Sequence, residues 1–364
     1  MKLKSIFLGV TLACSSVLGF ADNNIKMVVG TYTDAGGQGL YSFSFDQSTG
    51  KATGISSLNV NNPSYLTFSK DGRHIYAVSE KNNATAVLNC IGFDPIKGTF
   101  AFKNSQLTHG GDPCYVSTDG KIALTANYSG GTISVFPILK NGTLDKSLLQ
   151  LGSVKGGPNR SRQNTPHAHC AIFAPDGYIL TTDFSGDRIL CFFYNKRDKK
   201  LEDHDIAAHV KPGSGPRHLV FSPNGRYAYL MNELSGKVIV YSYSDGKLKE
   251  LQSIAADNAN ARGGADIHVS PDGMFVYAST RLKGDGITIF RVGNKGTLTR
   301  VGAQLTGKHP RNFAITPNGN FLLVACRDDN SIQVYSRDKS TGLLQNTNQD
   351  IILSHPVCVK FYPE

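Results

Sequence analysis

A strand, turn, strand phrase recurs six times in this chain and leaves few folds open to it. It reads NPSYLTFSKDGRHIYAVSE from Asn62, DPCYVSTDGKIALTAN from Asp112, AHCAIFAPDGYILTTD from Ala168, GPRHLVFSPNGRYAYLMNE from Gly215, GADIHVSPDGMFVYASTR from Gly264 and HPRNFAITPNGNFLLVACR from His309. The turn glycines Gly72, Gly120, Gly177, Gly225, Gly273 and Gly319 are spaced by 48, 57, 48, 48 and 46 residues, a period that belongs to propellers and solenoids. Alternating apolar residues flank each Asp-Gly or Asn-Gly turn, the pattern of a β-hairpin. A third apolar strand follows, such as VIVYSYS from Val238 or ITIFRV from Ile287, and then a Gly-Thr-Leu or Gly-Lys-Leu element. Four strands per repeat make a propeller blade, and helical periodicity is nowhere sustained.

The ends of the chain supply the remaining blade. HPVCVKFYPE from His355 resembles the first strand of a hairpin and stops there, whereas the N-terminal KMVVGTYT, GLYSFSF and GKATGI resemble the later strands of a blade whose first strand is missing. Joining them makes seven blades and removes the open sheet edges that a ring must manage. The expected fold is all-β, a seven-bladed β-propeller closed by pairing of the C-terminal strand with the N-terminal strands.

No linker or low-complexity run divides the 364 residues, so one domain is expected over 22–364. Residues 1–21, MKLKSIFLGVTLACSSVLGFA, carry two lysines, an apolar run and a small-x-small ending, which describes a cleavable secretory signal and an exported, periplasmic protein. Cleavage after Ala21 would remove Lys2 and Lys4 and lower the formal charge from +10 to +8. A competing reading makes Leu12-Ala13-Cys14 a lipoprotein site, against which Thr11 stands where an aliphatic residue is preferred. The other cysteines, Cys90, Cys114, Cys170, Cys191, Cys326 and Cys358, sit singly in apolar strands without a C-x-x-C and read as small core residues. No second apolar stretch is long enough to span a bilayer. The basic residues are spread over loops without interleaved aromatics, which argues against a nucleic-acid partner, and no cofactor or metal set is expected.

Hairpin register points to a site. Positions eight before and eight after each turn glycine lie at one end of the ring. The earlier slot holds Ser64, His169, Arg217, Ala265 and Arg311, and the later slot Glu80, Glu233, Arg281 and Arg327; shortened hairpins put Asp183 and Asn127 in corresponding places. Unpaired charges inside packed strands would cost several kcal/mol each. Cations outnumber acids here, so a solvent-filled mouth suited to a small anionic substrate is expected. The competing reading pairs the charges within each hairpin, Arg217 with Glu233 above all, as rim salt bridges. His167 and His169, two apart on a strand, should share a face, but no third soft ligand has a comparable place. His218 and His268 read as packing or hydrogen-bonding residues.

The phrases PHAHCAIFAPDG, DFSGDRI, GPRHLVFSPNGRYAYLMNE, SPDGMFVYASTR and PRNFAITPNGNFLLVA resemble those of the seven-bladed propeller lactonases, a family that includes bacterial 6-phosphogluconolactonases and fungal carboxy-cis,cis-muconate lactonizing enzymes. The similarity covers essentially the whole chain after residue 21. It implies a catalytic His, two Arg and a Glu, which by motif match fall on His169, Arg217, Glu233 and Arg281. It also implies hydrolysis of a sugar-acid lactone; His167 and the ring positions Asp183, Arg311, Arg327 and Glu80 are the candidate substrate-binding residues. An exported location departs from the cytoplasmic phosphogluconolactonases and puts a phosphorylated substrate in question.

Opening a lactone needs a base for water, donors for the oxyanion and an acid for the alkoxide. Glu233 or His169 is the candidate base, Arg217 the oxyanion donor, and Arg281 with Arg311 the fork for a substrate anion. An Arg-paired Glu is a weak base, which favours His169. No G-x-S-x-G elbow exists for a covalent route. The alternatives are a muconate-type cycloisomerase, a calcium-dependent lactonase drawing on Glu80, Asn127 and Asp183, and a non-catalytic propeller that binds sugar acids or a protein.

Overall fold

The computed structural model describes residues 23–153, 156–257 and 259–363, so the expected signal in residues 1–21, Cys14 included, lies outside them. Among the described residues seven antiparallel sheets follow one another, six of four strands and one with an additional short strand. Each blade runs from an innermost strand outward in chain order; Pro216–Phe221, Tyr227–Asn232, Lys237–Ser244 and Lys247–Ala255 form one of them. Pro356–Phe361 is the innermost strand of the seventh blade and pairs with Asn24–Thr31, Val29 opposite Val359. Gly39–Asp46 and Ala52–Asn59 complete that sheet, as the two partial blades at the chain ends imply.

The repeated turn has a local cause. In four blades Ser69, Ser222, Ser270 or Thr316 donates its hydroxyl to the Asp or Asn side chain two residues later, 2.6–2.8 Å away. The glycine that follows takes a positive φ at all six hairpins, between 68° and 94°, where any Cβ would be strained. Burial grades outward: every residue of the second strands Phe275–Thr280 and Phe321–Cys326 is buried, whereas the outermost strand Thr99–Leu107 alternates exposed and half-buried. The core therefore lies between neighbouring sheets, as where Tyr229, Met231 and Val240 of one blade pack with Ile267, Val276 and Phe290 of the next.

Six of the seven innermost strands break register near their start, whereas the short Leu66–Phe68 pairs without a shift. Shifts fall between Pro113 and Tyr115, Ala168 and Cys170, Pro216 and His218, Gly264 and Ile267, Pro310 and Asn312, and across Thr31 opposite Pro356–Cys358. A bulge re-aims the extra side chain instead of leaving it in the pleat. The bulged residues are Cys114, His169, Arg217, Ala265, Arg311 and Val357, with Asp266 beside Ala265 in the same break.

Candidate functional site at one end of the ring

One backbone hydrogen bond recurs at this end of the innermost strand in all seven blades. The N–H groups of Tyr32, Glu80, Tyr128, Phe184, Glu233, Arg281 and Arg327 donate to the carbonyls of His355, Asn62, Asp112, His167, Gly215, Gly263 and His309, at 2.8–3.2 Å. The seven donors are therefore equivalent positions, and the bulged residues follow the accepting carbonyls by two. Together they form two stacked rings at one end of the propeller.

This correspondence corrects three expectations. In the third blade Ala168 pairs with Asp183, so Phe184 is the counterpart of Glu233; in the second, Pro113 pairs with Asn127, so Tyr128 is. A one-residue displacement turns a strand side chain to the other face. Asp183 is fully buried and accepts from Ser153 Oγ at 2.5 Å, Gly186 N–H at 2.8 Å and Arg188 Nε at 2.8 Å, fastening the turn after its strand. Asn127 is likewise buried, tied to Thr125, Thr132 and Ser134, so a calcium set of Glu80, Asn127 and Asp183 does not assemble. The register break at His169 interrupts the alternation on which a face shared with His167 was expected, and His167 is held apart by its own contacts. Its Nδ1 lies 2.9 Å from the Tyr128 carbonyl and its ring stacks on Tyr128 at 4.1 Å.

His169, Glu233, Arg281, Arg311, Arg327 and Glu80 do converge. With Cys114, Tyr128, His309, Leu282 and Arg162 they line one cavity of about 280 Å³. Four guanidiniums face two carboxylates there. A wider pocket of about 840 Å³ shares Glu80 and Arg327 but touches neither His169 nor Glu233. Arg217 lies beneath the cavity rather than in its wall, with a side chain 2% exposed. Its Nε donates to Glu233 Oε2 at 3.0 Å, and its Nη1 donates to the Ala265 carbonyl at 2.6 Å and meets His218 Nε2 at 3.2 Å. The mouth is thus not the solvent-filled opening expected: Arg217 reaches the site through Glu233.

Glu233 joins three cations. Besides Arg217, Arg281 Nη2 reaches Oε2 at 3.2 Å and Arg162 Nη2 reaches Oε1 at 2.6 Å. Burial pushes the Glu233 carboxyl up, but Arg281, Arg217 and Arg162 outweigh it and hold the pKa down at about 2. Both halves of the competing view of Arg217 and Glu233 are therefore present in one network: the pair is a salt bridge and also the floor of the cavity. Glu80 approaches Arg311 at 3.6 Å and accepts from the Tyr32 hydroxyl at 3.1 Å.

His169 sits at the other side, 4% exposed, its Nδ1 3.7 Å from Cys114 Sγ and its ring 5.2 Å from that of His218. Burial, then the charges of Arg217 and neighbouring groups, push its pKa well below the ordinary histidine value, so it is neutral at pH 7. The preference for His169 over Glu233 as base consequently does not rest on basicity, since both are depressed. What distinguishes them is occupancy: both Glu233 oxygens are engaged by arginines, whereas among the described residues no hydrogen bond occupies His169 Nε2. Burial raises the Cys114 thiol far above its usual range, which removes it as a thiolate nucleophile. It is buried, as expected, and also lines the cavity.

Below this level His218 Nδ1 lies 2.7 Å from Asp266 Oδ1, and His268 Nε2 lies 2.9 Å from Oδ2. That agrees with reading both histidines as hydrogen-bonding residues. The residue most plainly missed from sequence is Arg162, which stands outside the repeat. Its signal was the irregular interval of 57 residues between Gly120 and Gly177, nine more than the 48 of three other intervals.

A family model described as a seven-bladed β-propeller lactonase matches residues 26–361. The 6-phosphogluconolactonase of Bacillus subtilis is 35% identical, over 92% of this chain and 97% of its own length. That of Formosa agariphila is 36% identical over 90% and 97%. Among solved structures, the periplasmic gluconolactonase of Pseudomonas aeruginosa superposes with a TM-score of 0.88 at 30% identity, covering 93% of this chain and 99% of that one.

Proposed function

This chain belongs to the seven-bladed β-propeller lactonase family, and from that premise we propose that it hydrolyses a sugar-acid lactone carrying an anionic group, in the cavity between His169 and Glu233. The observation that carries the reading is the meeting of a neutral, buried His169 with four guanidiniums in one cavity of about 280 Å³.

His169 Nε2 takes a proton from water as the water oxygen bonds to the lactone carbonyl carbon. The electrons move to the carbonyl oxygen, where the positive charge of Arg281 and Arg311 stabilises them. Collapse breaks the ring C–O bond, and the imidazolium returns its proton to the departing alkoxide, leaving a hydroxy acid and a neutral His169. Arg217 fixes Glu233, and Glu233 fixes Arg281, so these two are positioning residues. Arg327 and Glu80 flank the opening toward the wider pocket.

The reading extends to location. Residues 1–21 would direct export, so mature protein from the native host begins at Asp22; Met1 on cytoplasmic protein would overturn that part. The activity is tested by following acid release from a panel of phosphorylated and unphosphorylated aldonolactones and a muconolactone. Turnover of an aldonolactone is expected, and purified protein inert toward the whole panel would remove the enzymatic reading.

A further inference from the structure

Arg162 is held at the cavity in a way that leaves half of its guanidinium unused. The connection that carries it is fastened by Gln163, fully buried, whose Nε2 donates to the Phe184 carbonyl at 3.0 Å and Asp187 Oδ2 at 2.9 Å while Oε1 accepts the Asn159 N–H at 3.1 Å. The Arg162 guanidinium lies 5.4 Å from the Phe184 ring centre, and its Nη2 alone makes both polar contacts, with Tyr128 Oη at 3.1 Å and Glu233 Oε1 at 2.6 Å. Among the described residues Nε and Nη1 of Arg162 take no hydrogen-bond partner. Its side chain is 37% exposed, against 2% for Arg217 and 6% for Arg281, the other two cations on Glu233. Glu233 keeps those two on Oε2, so its burial does not depend on Arg162.

We propose that Arg162 is the specificity-determining residue for an anionic substrate: anchored to Glu233 through Nη2, it presents its remaining N–H donors to a phosphate or carboxylate on the lactone. This rests on the lactonase reading above. A guanidinium with free donors facing a cavity is suited to such oxyanions. Arg281, by comparison, spends Nε and Nη2 on the carbonyls of Gly263 and Gly264 and Nη1 on His309.

The test compares Arg162→Gln and Arg162→Lys with the native protein on 6-phosphogluconolactone and on glucono-1,5-lactone. In Arg162→Gln the KM for the phosphorylated lactone should rise roughly 10- to 100-fold relative to that for the neutral one, the scale of losing a hydrogen bond to a charged group. Arg162→Lys should recover part of the loss. Parallel changes for the two lactones, or no change, would overturn the assignment. Calorimetric titration with 6-phosphogluconate reads the same contact without turnover. If the native protein opens neither lactone, the lactonase reading fails, while weakened 6-phosphogluconate binding in Arg162→Gln still upholds the anion site. Equal binding by both proteins, or none by the native one, overturns it.

Discussion

Arg217 Nε donates to Glu233 Oε2 at 3.0 Å across the start of one hairpin, and both side chains are more than nine-tenths buried. The pair does not stand alone, since Arg281 and Arg162 share the same carboxylate. A buried carboxylate with three cations tolerates the loss of one partner better than a lone pair does, but a fully buried arginine leaves its other partners behind.

Replacing Arg217 with Ala should therefore affect stability as well as turnover. It strands the Ala265 carbonyl and leaves a cavity the size of a large side chain, so a loss of about 3–5 kcal/mol is expected in denaturant unfolding. At the solvent-filled mouth that register alone implies, the same substitution would leave no large cavity and cost little. A loss below about 1 kcal/mol would mean that water takes over its contacts.

His169→Ala should separate chemistry from folding. Turnover of the preferred lactone is expected to fall roughly 100-fold or more, the scale of losing a general base. Unfolding free energy should fall by less than about 3 kcal/mol, because the ring faces the cavity on one side. Normal turnover in purified His169→Ala would end its assignment as base.

Deleting residues from His355 onward removes the innermost strand of the seventh blade and none of the residues that line the cavity around His169. Asn24–Thr31 would then present an unpaired edge. Loss of the cooperative thermal transition is expected, measured by circular dichroism; an unchanged melting curve would contradict closure through this strand.

Acid should destabilise the protein well before carboxylates titrate. Burial, with Arg217 next, lowers His218 to about 4, and burial, with Arg281 next, lowers His309 to about 3. Each is held neutral in the folded state while the unfolded chain takes up a proton below about 6.5. Stability is thus intact above pH 6.5 and declines as pH falls toward 4, by on the order of 3 kcal/mol for His218 alone. Glu233, lowered to about 2, adds a further loss from about pH 4.5 downward. Melting temperatures from pH 8 to 3 check this; His218→Gln should flatten the upper part of the decline.

What the sequence determined by itself was everything that repeats. Hairpin turns and apolar alternation are local, so the period of Gly72 to Gly319, the blade split between the chain ends and the convergence of His169, Glu233, Arg281, Arg311 and Arg327 could all be counted from residue positions. Tertiary structure decided what counting cannot reach. Strand pairing decides on which side the second and third hairpins are shortened, and with a side-chain period of two a one-residue difference takes Asp183 and Asn127 out of the ring and puts Tyr128 into it. Burial of Arg217 depends on how closely seven separate sheets pack, a long-range property that no one blade encodes. Arg162 enters from a connection with no counterpart in the other repeats. Its place beside Glu233 exists only because the closed ring brings residues 71 positions apart within 2.6 Å.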